Sequence, residues 1–399
     1  MNKNVEIFHK SLAPTSPNPY LIEADRAEGI YIIDTAGKRY RDLISGIGVS
    51  NLGHGNREIT AAIKAQVDRH LHVMVYGEYV QSATSELAEM LTSLLPEHLN
   101  CVYLVNSGTE ANEGAIKLAK RYTGRTEIVS CRGSYHGSTH GSLSISGNET
   151  KKSAFRPLLP DVRFINFNQI PDLEHITGRT ACVVMETVQG DAGVRIPSPA
   201  YLRAVRQRCD ETGALLVLDE IQCGMGRTGS VFAFERFGVA PDILTLGKAL
   251  GGGLPIGAFV SSREKMNVFT HDPMLGHITT FGGNPVSAAA ANAFLKELTR
   301  DGILESVEAK GKLFESLLSH PDIREIRRIG LMFAIDFDTP ERVSQIVERA
   351  KELGVITYWF LSHPYSFRIA PPLIITEAEI RESCELILRA IEDSRNPGA

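Results

Sequence analysis

Residues 215–253 read LLVLDEIQCGMGRTGSVFAFERFGVAPDILTLGKALGGG, and this stretch decides the fold. An apolar run at residues 214–218 leads directly into Asp219, and a second run, residues 242–246, is closely followed by Lys248. Such runs indicate strands of a sheet that is covered on both faces. Because side chains at the carboxyl ends of parallel strands meet in one crevice, we expect Asp219 and Lys248 to face a common ligand.

An acid and a lysine in one crevice fit a pyridoxal phosphate site. The lysine amine forms a Schiff base with the cofactor aldehyde, and the carboxylate keeps the pyridine nitrogen protonated so that the ring takes up electrons. The pattern therefore predicts Lys248 and Asp219 as the catalytic pair.

Two other binding patterns overlap the same stretch. A run ending in Asp-Glu is also typical of magnesium-binding strands in nucleotide hydrolases, but the GxxxxGK[ST] phosphate loop is absent from the sequence. Gly224, Gly226 and Gly229 match the dinucleotide fingerprint, yet that motif must directly follow a strand and open a helix. A lysine after an apolar run is usually a solvated strand end. Asp219 before it and glycines 251–253 after it favour the catalytic role.

Composition limits the class of protein. The 399 residues are enough for two lobes with separate cores. A net charge of −5 without long charged runs argues against nucleic acid and anionic membranes as partners. The six cysteines are scattered, without CxxC pairs or metal-ligand spacing, which indicates free thiols, a reducing compartment and no metal site. No apolar run approaches ~18 residues and no signal-peptide core is present, so we expect a cytoplasmic protein.

Strands and helices alternate between residues 101 and 262, which predicts an α/β fold with a doubly wound sheet. The expected strands of this sheet lie at residues 101–105, 127–131, 162–167, 181–188, 214–218, 242–246 and 256–261. Helices are expected at residues 57–68, 85–95, 113–121, 201–212, 292–300, 303–318, 341–353 and 377–393. A hairpin at 29–43 and strands at 331–337, 355–359 and 367–370 are expected in a smaller lobe.

The expected domains follow from this alternation. The large cofactor-binding domain should span residues 58–295, and the small domain should combine residues 1–57 with residues 296–399. The first twenty residues are polar and Pro-rich, which predicts an arm on a surface, of a kind that often crosses to a partner subunit.

Two further turns belong to the expected crevice. The stretch after residue 105 reads as strand, glycine turn and helix start, where free amides and the hydroxyls of Ser107 and Thr109 suit a phosphate. Taken alone, this stretch is more typical of an ordinary capped helix. Tyr135 and His136 follow the next strand, and an aromatic face there can stack on a cofactor ring.

Motifs along nearly the whole chain resemble those of one family, and they occur in its order. They are NSGTEANEGAIKLAK, SYHG, METVQGDAG, LLVLDEIQCGMGRTG, TLGKALGGGLPIGA, TTFGGNP and FRIAPPL. With them the chain resembles the class III aminotransferases of the acetylornithine, ornithine or 4-aminobutyrate type, which are fold-type I (aspartate aminotransferase-like) pyridoxal phosphate enzymes. The resemblance implies pyridoxal 5'-phosphate as cofactor, a mixed seven-stranded sheet with a smaller α/β lobe, and a homodimer with shared active sites.

The same resemblance implies roles for individual residues. Lys248 would be the Schiff-base lysine, which as a free amine carries the proton as base and then acid. The other implied cofactor-binding residues are Asp219 at the pyridine nitrogen, Gln222 near the ring hydroxyl, Tyr135 against the ring, Ser107, Gly108 and Thr109 at the phosphate, His136 and Glu186 from SYHG and METVQGDAG, and Thr280 reaching the phosphate from the other subunit.

Arg368 is the main residue expected to bind the substrate. It matches the arginine that holds the α-carboxylate of 2-oxoglutarate and glutamate, and a guanidinium fork suits a carboxylate. A lobe-packing or surface arginine is the alternative. In ornithine and acetylornithine members a glutamate pairs with this arginine, whereas Asp191, one methylene shorter, stands here. Ser138 replaces an arginine of the ornithine-type members, which argues against acetylornithine and ornithine as donors.

The expected function is transfer of an amino group from an ω-amino acid or related amine to a 2-oxo acid, with 2-oxoglutarate as the leading acceptor. Three alternatives stay open: a class III relative of decarboxylating, aminomutase or racemase type, a pyruvate-dependent ω-transaminase, and a cofactor-binding protein without turnover. For the distal carboxylate of 2-oxoglutarate no motif chooses among Arg132, Arg156, Arg163 and Arg227.

Overall fold

The computed structural model describes residues 3–395. Its α-helices are α1 (Lys3–Ser11), α2 (Ser45–Gly48), α3 (Arg57–Arg69), α4 (Ser82–Ser93), α5 (Gly108–Thr123), α6 (His140–Ile145), α7 (Glu149–Lys152), α8 (Pro199–Thr212), α9 (Arg263–Met266), α10 (Pro285–Leu298), α11 (Ile303–Leu317), α12 (Pro340–Glu352) and α13 (Glu377–Asp393). Its strands are β1 (Ala24–Glu28), β2 (Tyr31–Asp34), β3 (Arg39–Asp42), β4 (Cys101–Val105), β5 (Glu127–Cys131), β6 (Val162–Ile165), β7 (Thr180–Glu186), β8 (Leu215–Asp219), β9 (Ile243–Leu246), β10 (Gly257–Ser261), β11 (Glu325–Ile329), β12 (Met332–Asp336), β13 (Val355–Ile356), β14 (Tyr358–Trp359) and β15 (Ser366–Ile369).

A seven-stranded sheet forms the centre of the fold, in the order β4-β10-β9-β8-β7-β5-β6. Strand β10 runs antiparallel to β4 and β9, and the other neighbours are parallel. Every residue of β5, β7, β8, β9 and β10 is buried, so the sheet is covered on both faces, as continuous apolar runs predict. The predicted mixed, doubly wound α/β sheet is confirmed.

Two four-stranded sheets complete the fold. One has the order β1-β2-β3-β13 and the other the order β11-β12-β15-β14. In the first sheet β13 pairs in parallel with β3, so a strand near the carboxyl end of the chain joins a hairpin near its beginning. This pairing agrees with a small lobe built from both ends of the chain, while the expected bounds, residues 58–295 against 1–57 and 296–399, stay a prediction.

Three helices begin at least three residues earlier than the sequence predicts, and two of these begin behind a side-chain cap. Helix α10 starts at Pro285, because the Asn284 side chain caps it and proline suits the first turn. Helix α5 starts at Gly108 behind the cap Ser107. Helix α4 starts at Ser82 and also ends earlier, at Ser93. The expected amino-terminal arm contains α1, which buries none of its residues, so it is helical but not packed into the core.

Arg227 connects three distant parts of the chain. Its fully buried guanidinium donates hydrogen bonds to the carbonyl oxygens of Leu331 and Pro371 and to the side chain of Asn51. Burial lowers the pKa of Arg227 to about 9, while the nearby Asp42 carboxylate acts in the opposite direction. Arg227, in the GMGRTG loop after β8, therefore joins the central sheet to the turn between β11 and β12, to the segment after β15 and to the segment after α2.

We expect Arg227→Met to lower the free energy of unfolding by about 2–4 kcal/mol, because three buried acceptors would lose their donor. Urea-induced unfolding measures the change. The control is Arg381→Met, an exposed site on α13, where a change within about 0.5 kcal/mol is expected. Equal stability of the two variants would contradict the connecting role of Arg227.

Candidate active site

A cavity of about 500 Å³ opens at the carboxyl edge of the central sheet. It contains every predicted site residue except Ser107 and Thr280. The lining residues are Ile47, Gly108, Thr109, Tyr135, His136, Gly137, Ser138, Glu186, Asp191, Asp219, Ile221, Gln222, Lys248, Tyr358, Leu361 and Arg368. The sequence argument did not identify Ile47, Tyr358 and Leu361, because these residues come from distant segments without a motif.

Asp219 is the last residue of β8 and is almost fully buried. Its Oδ2 accepts hydrogen bonds from Asn112 Nδ2 and from His136 Nδ1, both at 2.8 Å. Its Oδ1 accepts the backbone N–H of Ile221 at 3.0 Å. A carboxylate offers about four lone-pair sites. Oδ1 therefore has capacity for one more donor, as the N–H of a protonated pyridine ring requires.

Lys248 follows β9 and begins a short 3-10 turn, Lys248–Gly251. Its backbone φ of +45° lies in the left-handed region, where side chains other than glycine are strained, and such strain is frequent at functional sites. Burial lowers the pKa of the Lys248 amine, and the Asp219 and Glu186 carboxylates oppose this shift. A larger share of neutral amine at a given pH suits a nucleophile and a base.

The amino-terminal end of α5 forms the other end of the cavity. Ser107 is the N-cap, and its hydroxyl accepts the N–H of Glu110, so it acts on the helix rather than lining the cavity. The structure gives the N–H groups of Gly108 and Thr109 no acceptor among residues 3–395. Gly247 packs so closely that a Cβ on it would lie 3.2 Å from the Gly108 Cα. Free amides at a helix start suit a phosphate.

Tyr135 and His136 occupy the loop after β5. Tyr135 is 42% exposed and borders the cavity, so its ring is accessible for stacking. His136 is buried, and its Nε2 has no partner within the described part of the chain. Glu186 joins this loop to the next one, because its carboxylate accepts the N–H groups of Tyr135 and Gly190. Burial raises the pKa of Glu186 to about 7, with His136 opposing the shift.

Arg368 and Asp191 form an ion pair in the cavity wall, with Nη2 and Oδ1 3.0 Å apart. The shorter aspartate therefore reaches the guanidinium. Asp191 also accepts the N–H of Leu361 and the hydroxyl of Ser362, so it holds the loop between β14 and β15. The Arg368 guanidinium lies over the Phe360 ring, and its Nε has no acceptor in residues 3–395. Burial lowers the pKa of Arg368, against the effect of Asp191.

Thr280 lies outside this cavity, on an exposed segment before α10. None of the arginines considered for a distal carboxylate, Arg132, Arg156, Arg163 and Arg227, lines the cavity either.

Within residues 3–395, no group of three His, Cys, Asp or Glu side chains could hold a metal ion. No described helix combines the length and apolarity needed to cross a membrane.

These residues fit pyridoxal 5'-phosphate. Lys248 borders the cavity, and Oδ1 of Asp219 can accept one more hydrogen bond. The N–H groups at the start of α5 have no acceptor among residues 3–395 and can bind an anion. The three features come from separate elements and converge on one space of about 500 Å³, within the size range of small-molecule sites.

Asn112 and Thr245 are polar residues of the site that the sequence argument did not single out. Asn112 is buried on α5 and contacts both Asp219 and the backbone carbonyl of His136. Thr245 on β9 donates its hydroxyl to Asn112 Oδ1. Asn112 stands inside the motif NSGTEANEGAIKLAK, four positions after Gly108, a spacing that puts both on one helix face.

The chain is similar over nearly its whole length to known aminotransferases. The chain is 38% identical over 400 residues to an acetylornithine aminotransferase of Caldanaerobacter subterraneus subsp. tengcongensis, covering 97% of this chain and 99% of that one. It is 38% identical over 380 residues to a putrescine aminotransferase of Pectobacterium atrosepticum, covering 91% and 80%. A transaminase structure from the marine bacterium Virgibacillus superposes with a TM-score of 0.93 at 27% identity, covering 99% of both chains. The family description "Aminotransferase class-III" matches residues 12–391, and this chain belongs to that family of pyridoxal phosphate-dependent enzymes.

Proposed function

We propose that this aminotransferase moves an amino group from an ω-amino acid or related amine to a 2-oxo acid, with 2-oxoglutarate as the first candidate acceptor. The observation that carries the proposal is Arg368, which borders the same cavity as Lys248 and Asp219. A buried guanidinium there can bind the carboxylate next to the reacting carbonyl. The names of the two relatives, an acetylornithine and a putrescine aminotransferase, support a donor with an amino group at the end of an alkyl chain.

Pyruvate is the second candidate acceptor. Arg368 is the only guanidinium among the described residues that line the cavity, and Ser138 stands where the ornithine-type pattern has an arginine. A monocarboxylic 2-oxo acid needs a single cation, whereas 2-oxoglutarate has a second carboxylate to place. The cavity of one chain therefore supports pyruvate as well as 2-oxoglutarate.

The mechanism assigns each residue a separate task. Bound pyridoxal phosphate supplies an electron-accepting ring that stabilises negative charge at the substrate carbon. Asp219, through Oδ1, would accept the N–H of that ring and so favour its protonated form. Lys248 Nζ, whose pKa is lowered by burial, would remove the proton from the substrate carbon as a base and deliver it to the former aldehyde carbon of the cofactor as an acid. The N–H groups of Gly108 and Thr109, which have no acceptor among residues 3–395, would bind the phosphate, and Tyr135 would lie against the ring.

We expect Lys248→Ala to abolish turnover and to remove the visible absorbance of covalently attached cofactor, because no other lysine lines the cavity among residues 3–395. Steady-state assays and absorbance spectra measure both. The control is Lys64→Ala, an exposed site on α3, which should keep the wild-type spectrum and rate. Retention of both properties in Lys248→Ala would overturn the assignment.

A panel of amine donors against 2-oxoglutarate and pyruvate tests the acceptor site. We expect Arg368→Ala to lower catalytic efficiency with every 2-oxo acid by roughly 30- to 1000-fold, or about 2–4 kcal/mol, because the carboxylate loses a charge-assisted partner.

The control for this panel is Arg179→Ala. Arg179 is an exposed side chain immediately before the amino end of β7, whereas the cavity lies at the carboxyl edge of the sheet. It should leave efficiency with both acceptors unchanged. If Arg368→Ala also stays within about threefold of wild type with both acceptors, Arg368 supports structure and the acceptor assignment is wrong.

We also propose a homodimer with shared active sites, a cytoplasmic location, and the division into a large domain (58–295) and a small one (1–57 with 296–399). Buried, unpaired cysteines at all six positions support a reducing compartment.

For the dimer, two exposed apolar segments support a partner surface: Leu71, Met74, Tyr79 and Val80 lie on one, and Met274, Leu275, Ile278 and Phe281 on the other. The rings of His72 and Phe281, 5.1 Å apart, bring the segments together.

Thr280 lies on the second of these segments and is proposed to reach the cofactor phosphate of the partner. Because charge-assisted hydrogen bonds to phosphate contribute ~1.5–3 kcal/mol each, cofactor retention should depend on dimerisation. We expect light scattering to report a dimer and dilution to lower cofactor occupancy. Thr280→Val should release cofactor at higher protein concentration than wild type. A fully active monomer would contradict this assembly.

A further inference from the structure

We propose that Asn112 and Thr245 are positioning residues that fix the Asp219 carboxylate relative to the phosphate-binding end of the cavity. The inference rests on the proposed role of Asp219 at the ring nitrogen and extends it to two residues that do not line the cavity. Both act through Asp219, and neither needs to touch the cofactor.

Asn112 is fully buried, and both its Nδ2 hydrogens and its Oδ1 have partners nearby. One Nδ2 hydrogen goes to Asp219 Oδ2 and the other to the His136 carbonyl oxygen, each at 2.8 Å. Its Oδ1 accepts the Thr245 hydroxyl at 2.9 Å. A single amide therefore holds the Asp219 carboxylate and the loop that carries Tyr135 and His136.

Thr245 sets the orientation of this amide. In the opposite orientation, Asn112 Oδ1 would face two acceptors, the Asp219 carboxylate and the His136 carbonyl, which repel it. The Thr245 hydroxyl donates to Oδ1 and so favours the orientation that places Nδ2 against Asp219. Thr245 is also the cross-strand neighbour of Asp219 between β8 and β9, so strand pairing fixes its distance from the carboxylate.

The hydrogen bonds at Asp219 are divided unequally between its two oxygens. Asn112 and His136 both donate to Oδ2, whereas Oδ1 accepts only the backbone N–H of Ile221. Filling Oδ2 directs the remaining acceptor capacity to Oδ1. Without Asn112, the carboxylate would have an open position on each oxygen and could rotate between them.

Helix α5 fixes the distance between the two ends of the cavity, because it carries both the amides of its first turn and Asn112. Its first turn carries the free amides of Gly108 and Thr109, and Asn112 follows one helical turn later. The helix is rigid, so the position of the phosphate cradle and the position of Asp219 depend on the same element. A cofactor that spans both ends needs this distance to be constant, which is a form of preorganisation.

Variants at both positions test the inference on the holoenzyme and its apo form. Asn112→Leu removes the amide at similar volume, Thr245→Val removes only the orienting hydroxyl, and Thr245→Ser restores it. The readouts are the dissociation constant of pyridoxal 5'-phosphate, the pH dependence of the bound cofactor spectrum, and kcat and KM measured separately.

We expect Asn112→Leu to raise the cofactor dissociation constant by about 10-fold or more and Thr245→Val by about 5-fold, consistent with loss of buried hydrogen bonds. The spectral pH midpoint should shift and kcat should fall, while KM for the 2-oxo acid stays within about threefold because the Arg368 side of the cavity is unchanged. Thr245→Ser should behave as wild type within about twofold.

Two matched controls separate positioning from general stability. Asn292 is a buried helical asparagine that donates to the Ala83 carbonyl, and Thr180 is a buried threonine that donates to Glu127; neither lines the cavity. Asn292→Leu and Thr180→Val should lower the melting temperature without changing the cofactor dissociation constant or the spectral midpoint.

Wild-type cofactor affinity and spectrum in both Asn112→Leu and Thr245→Val would overturn the inference. If Asn112→Leu does not fold, the Thr245→Val and Thr245→Ser pair decides alone, because it changes a single hydroxyl. Asp219→Asn distinguishes the two proposals: an unchanged affinity there means that the proposed role of Asp219 is wrong, whereas a loss there without a loss at Asn112 or Thr245 rejects only the positioning role.

Discussion

The buried carboxylate of Asp219 is the constraint on which the active site depends. A charge inside a sheet covered on both faces costs several kcal/mol unless donors compensate it. Three donors do so here, from α5, from the loop after β5 and from the turn after β8. Each of these elements also carries a wall of the cavity. The hydrogen bonds that compensate the Asp219 charge therefore also hold the elements around the cavity in place.

A second constraint operates at the neighbouring strand ends. Glu186, Asp219 and Thr245 are cross-strand neighbours on β7, β8 and β9. Two carboxylates in one row repel each other, and burial with this repulsion raises the pKa of Glu186 to about 7, with His136 acting against the shift. The backbone N–H groups of Tyr135 and Gly190 stabilise the ionised form of Glu186. The loops around the cavity thus take their positions from hydrogen bonds to carboxylates, in addition to packing.

The fold could be predicted largely from sequence because its signals are local. Apolar runs ending in Asp219 and before Lys248 mark strand ends, and parallel pairing brings strand ends together without further information. Helix starts were predicted less well, as at α10, where the capping geometry of Asn284 decides the boundary. Asn112 could not be assigned a role from sequence, since its function depends on which helix face meets the sheet. Tyr358 borders the cavity from the two-residue strand β14 and Leu361 from the loop after it, and segments this short leave no periodic pattern in the sequence.

The pairing of β3 with β13 affects the order in which parts of the molecule can fold during synthesis. Its partners are separated by more than three hundred positions in the chain, and Ile47 and Arg368 border the same cavity across a similar separation. During synthesis the central sheet can pair first, since its strands lie between residues 101 and 261. The amino-terminal hairpin has to wait for its last strand, and contacts at such separation are slow to form. The part of the cavity that Ile47 and Arg368 border is therefore completed only after the segment around Arg368 has been synthesised.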